Sequence, residues 1–88
     1  MWIKETKEKY GKVFRELYDE TGNKVKINDF VLYEWGHNEV ERIGIFRGFK
    51  GAILLIGNIL TDETIHVGAS AVKGLWAVDT VRQKYKRK

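Results

Sequence analysis

The chain has 88 residues, 43% of them hydrophobic and 32% charged, with a formal net charge of +4 and no cysteine. That length leaves room for one core, the composition is that of a folded domain rather than a disordered segment, and the missing cysteines exclude disulfides and thiolate metal sites. No signal peptide or membrane span is predicted, because "MWIKETKEKY" lacks an apolar core and the longest apolar run, "AILLIGNIL" (52–60), falls short of the roughly 20 residues a spanning helix needs. The expected location is the cytoplasm.

From Tyr10 to Tyr18 the apolar residues recur at steps of three and four, and Lys4–Glu8, Glu5–Lys9 and Glu8–Lys12 are opposite charges one helical turn apart. This spacing predicts an amphipathic helix over about 3–19, interrupted at Gly11 and capped near Gly22. After Asn23 the pattern changes to alternation. Val25, Ile27, Val31, Tyr33 and Trp35 predict a strand with a kink or bulge at Asn28-Asp29. "GHNE" (36–39) is a turn, and "VERIGIFRGF" (40–49) is a second strand with Ile43, Ile45 and Phe49 on one side. "KG" (50–51) leads into "AILLIGNIL", which reads as a strand buried on both faces. "TIHV" (64–67) and "LWAV" (75–78) are short strands, separated by one turn of helix in "GASAVKG".

The predicted class is therefore α+β, mainly β: an N-terminal amphipathic helix, a five-stranded SH3-like small barrel over about 24–78, and a basic C-terminal tail. Residues 1–81 form the expected single domain and 82–88 the tail.

The positive charge is uneven. Five basic residues and no acid occupy 82–88 (Arg82, Lys84, Lys86, Arg87, Lys88), whereas 13–81 holds seven basic and ten acidic residues, a net of −3. A basic tail attracts any polyanion and reads little sequence, so the charge argues for a polyanion-attracting end rather than a nucleic-acid-binding body.

Motifs for chemistry fail one by one. A calcium loop starting at Asp19 would need Gly at its sixth position and Glu at its twelfth, and Lys24 and Phe30 stand there. His37 and His66 have no partner at ligand spacing, so no metal site and no cofactor are expected. Ser70, the single serine, is not in a nucleophile elbow. "GFKG" (48–51) has the form of a backbone-clamping GXXG loop but lies between two strand-like runs, which makes it a hairpin tip. No acid, base and nucleophile set emerges, and an enzyme is not expected.

Asp19, Gly22, Val25, Asp29 and Val31, with Gly44 and Ile45 further on, match a phrase found in the C-terminal module of YopX-type phage and prophage proteins, and residues 17–57 resemble that module. Asn28 stands where the phrase usually has Gly. The first 16 residues and the basic tail have no counterpart. The resemblance implies a small β-barrel accessory domain of a phage or mobile element, with Asp19–Gly22 in a hairpin, and it supplies no catalytic residues.

Two functions follow as expectations. The first is a non-catalytic interaction module that binds and modulates a host protein, with Trp35, His37, Phe49 and Trp76 as candidate contacts, since aromatic side chains anchor protein interfaces. The alternative is a nucleic-acid-binding barrel that contacts DNA or RNA through Arg47, Lys50 and the tail residues Arg82, Lys84, Lys86, Arg87 and Lys88.

Overall fold

The computed structural model describes residues 1–8, 10–36 and 41–78. Among the described residues, eight strands make two antiparallel sheets. The first has β1 (Trp2–Lys7), β2 (Val13–Tyr18) and β3 (Lys24–Val25), in the order β1-β2-β3. The second has β4 (Phe30–Trp35), β5 (Glu41–Lys50), β6 (Ile53–Gly57), β7 (Thr64–Gly68) and β8 (Val72–Ala77), in the order β7-β6-β5-β4-β8.

The expected N-terminal helix is not formed. Residues 2–7 and 13–18 are paired strands, in register from Trp2↔Tyr18 to Lys7↔Val13. Gly11 takes φ +82°, a left-handed conformation that suits glycine, and its N–H bonds Glu8 O at 3.0 Å to close the turn. The helical charge pairs were worth only a few tenths of a kcal/mol each. Pairing as strands buries Leu17 completely and re-pairs the charges across strands: Arg15 Nε lies 3.3 Å from Glu5 Oε1, directly opposite it. Trp2 stacks on Tyr18 with ring centroids 5.1 Å apart. Apolar residues come in adjacent pairs here (Trp2-Ile3, Val13-Phe14, Leu17-Tyr18), a pattern that steps of three and four also satisfy.

The turn after β2 is built on Asp19, whose side chain is fully buried. Its Oδ1 accepts from Thr21 N (3.0 Å), Thr21 Oγ1 (2.7 Å) and Asn23 N (2.9 Å), and its Oδ2 accepts from Ala77 N on β8 at 3.1 Å. The next residue adds Glu20 N–H to Leu75 O at 2.9 Å. The first sheet is thereby fastened to the outer edge of β8. A second turn, Lys26–Asp29, is held by Asp29 Oδ2, which accepts from Lys26 N at 2.8 Å. The single kinked strand expected over Val25 to Trp35 is therefore corrected: this turn, with Asn28 at φ +79°, divides it into β3 and β4, which belong to different sheets.

The expected SH3-like barrel is also corrected. The five strands and the single helical turn (a 3₁₀ turn, Ala69–Ala71) are present, but the sheet is open. Among the described residues β7 pairs with β6 alone, and the second edge of β8 is taken by Asp19 and Glu20 instead of another strand. Leu17 and Val25 of the first sheet pack into one buried cluster with Val31, Phe46, Leu54, Ile56 and Leu75 of the second.

Face assignments differ from expectation in two strands. In β5 the buried residues are Gly44, Phe46 and Gly48, while Ile43 is 50% exposed. A Cβ at Gly44 would run into Ile56 Cγ2 and approach Gly57 O to 3.1 Å, so only glycine lets Tyr33 and Ile56 close over this point. A bulge between Phe46 and Gly48 then returns Phe49 to the inner side, opposite buried Leu54. In β6, Leu54 and Ile56 are buried but Ile53 is exposed, and Ile59 and Leu60 lie in the exposed loop beyond the strand.

Candidate functional site

The structure does not gather the predicted contact residues. Trp35 sits at the end of β4, half-buried against the core, with the Arg42 guanidinium 5.2 Å from its ring centroid. Phe49 lies near the other end of β5 and meets Phe46 edge-on, ring centroids 5.3 Å apart. At ~3.3 Å per strand residue the two are on the order of 25 Å apart along the sheet. Trp76 is on the opposite face of the sheet, its indole lying across Gly74. His37 lies outside the described residues.

The alternative set fares similarly. Arg47 is engaged: its guanidinium donates to Asn28 Oδ1 and, at 3.2 Å, to Asp62 Oδ1. The same side chain lies over Gly57, where a Cβ would come within 3.1 Å of Nε. Lys50 is exposed at the β5–β6 tip, and Gly51 beside it turns the chain at φ +60°. Arg82, Lys84, Lys86, Arg87 and Lys88 lie outside the described residues. His66 is exposed on β7, opposite Leu55. Among the described residues no three acids, histidines or cysteines cluster to hold a metal, and no helix is long and apolar enough to cross a membrane.

Two surfaces emerge that the sequence reading did not single out. One is the outer face of β8, β4 and β5. Trp76, Leu32 and Ile43 are directly opposed across the three strands, and Phe30 opposes Ile45 in the neighbouring row. Phe30 is 48% exposed, and Leu32, Ile45 and Trp76 are half-buried. Glu34 and Glu41, opposed in β4 and β5, make one end of this face acidic. The signal was in the sequence: "FVLY" and "IGIF" are apolar at both alternations, and a strand with both faces apolar needs a cover on each.

The other is a groove of about 340 Å³ between the two sheets. Its floor is Leu17, Val25, Phe46 and Phe49, and Ile27 stands at its side with Cδ1 over Gly48. Arg15, Lys24 and Lys26 rim it together with Glu16. Lys24 Nζ lies 2.8 Å from Glu16 Oε2; this hydrogen bond, then the opposite charge, lowers the Glu16 pKa and raises that of Lys24. A smaller hollow of about 270 Å³ is lined by Tyr33, Arg42 and Ile65 among others. Burial raises the Tyr33 pKa, and the Arg42 charge partly offsets it.

Together these features define a small β-rich domain of two antiparallel sheets. No family model, curated protein or solved structure matches the chain.

Proposed function

We propose that the protein is a non-catalytic interaction module, of the phage accessory type, that binds and modulates a host protein through the outer face of β8, β4 and β5. The observation that carries this reading is the registered apolar row Trp76–Leu32–Ile43 with Phe30 and Ile45 beside it, on a chain that is otherwise 32% charged. A sheet face with large apolar side chains half in solvent is stabilised when a partner covers it. The acidic end at Glu34 and Glu41 suits a partner whose apolar patch has a cationic flank. The YopX-type phrase supports the accessory origin, and Asn28, which replaces its Gly, holds the positive φ that glycine supplies easily. The nucleic-acid reading is weakened by the double engagement of Arg47.

The test is a pull-down from host lysate with and without nuclease, using the native chain and Ile43→Asp. A stoichiometric protein that survives nuclease and is lost with Ile43→Asp supports the proposal. Recovery of nucleic acid alone, or capture that the substitution leaves untouched, overturns it.

A further inference from the structure

We infer that the groove between the sheets takes an extended acidic peptide segment of a partner protein, added as a strand to the half-open edge of β2. The inference rests on the reading of the chain as an interaction module but uses a different surface.

Three observations converge. The first is the edge itself. Leu17 pairs with Val25, and Asp19 N–H bonds Asn23 O at 2.9 Å, so the odd-numbered residues of β2 turn their backbone groups toward β3. β3 ends at Val25, because the Lys26–Asp29 turn draws the chain away; Asp29 N–H bonds Lys26 O at 3.0 Å. Arg15 and Val13 therefore present N–H and C=O groups along an edge that meets no strand among the described residues. An extended peptide supplies the missing ladder.

The second is the floor beside that edge. Leu17, Val25, Phe46 and Phe49 give an apolar surface below the position such a strand would take, and Ile27, 61% exposed, closes one side. Every second side chain of an added strand points at this floor, so the ligand is apolar at alternate positions. The third is charge. Arg15, Lys24 and Lys26 outnumber Glu16 at the rim, and Lys26 makes no ion pair among the described residues. The Arg15 contact to Glu5 runs through Nε, leaving the terminal nitrogens as a fork for a carboxylate. The other alternate positions of the ligand are thus acidic.

The probe is a random seven-residue peptide display selected on the intact protein, followed by amide hydrogen exchange with the winning peptide. The expected winners alternate acidic with bulky apolar residues and slow exchange at the Val13 and Arg15 amides. Val13→Pro removes one donor of the open edge, just beyond the groove, while sparing the β1–β2 ladder, because that N–H points away from β1. It and Lys26→Glu, at an exposed position, should each weaken the peptide by about tenfold. Ile43→Asp should leave the peptide untouched, which separates this proposal from the outer-face interface. Basic or uncharged winners, no winner, protection along β7 instead, or an oligothymidylate that displaces the peptide without protecting β2 would each overturn it.

Discussion

Asp19 is the one fully buried charged side chain among the described residues. Its carboxylate has no solvent exposure and accepts from the backbone N–H groups of Thr21, Asn23 and Ala77, as well as the Thr21 hydroxyl. Asp19→Ala removes every one of these acceptors. A buried donor left without a partner costs about 1–3 kcal/mol. Thr21 and Asn23 are exposed residues whose N–H groups regain water, so they fall at the low end, whereas Ala77 is half-buried against the turn. The sum is about 3–4 kcal/mol, out of a total stability of roughly 4–13 kcal/mol for a domain of this size. At about 4–8 °C per kcal/mol the melting temperature falls by about 12–30 °C. Asp19→Asn keeps one carbonyl acceptor and loses the other, so its cost is about half. Urea unfolding followed by circular dichroism measures all three proteins. A loss below about 1 kcal/mol for Asp19→Ala, or equal losses for Ala and Asn, would refute the reasoning, since either shows that the carboxylate does not hold the two sheets together.

Asn28 gives a second measurement. Asn28→Gly and Asn28→Val both remove the Arg47 contact, but only valine is strained at φ +79°, so valine should be less stable by about 1–2 kcal/mol in denaturant titrations. Tyr33 gives a pH dependence. Burial raises its pKa above 10.0, so the native state holds the proton more tightly than the unfolded chain. That contribution is complete below the unfolded pKa of about 10 and is lost as pH rises through the native value. Absorbance should show one tyrosine titrating late, and Tyr33→Phe should flatten the loss of stability as pH rises above the unfolded pKa of about 10; an unchanged slope in the variant rejects the assignment.

Much of the second sheet was legible in the sequence by itself. β-branched and aromatic content in 30–35 and 41–57, and the glycines flanking 69–71, specify local strand and turn choices. The break at Asp19–Asn23 was equally local, but its role was not: it reads as the stop of a helix and is the hairpin turn between β2 and β3, with the carboxylate occupied by backbone donors. Tertiary structure alone decided the remainder. Residues 3–19 satisfy both a helical and a strand reading, and the choice between them falls to long-range partners: Val25 across from Leu17, and β8 across from Asp19. Which face of β5 turns inward depends on Tyr33 and Ile56 closing over Gly44, residues that lie 11 and 12 positions away. Whether the sheet closes depends on what occupies the edge of β8. The outer apolar face and the groove arise from those same long-range decisions, because a strand's pattern says that a face is apolar but not what will cover it.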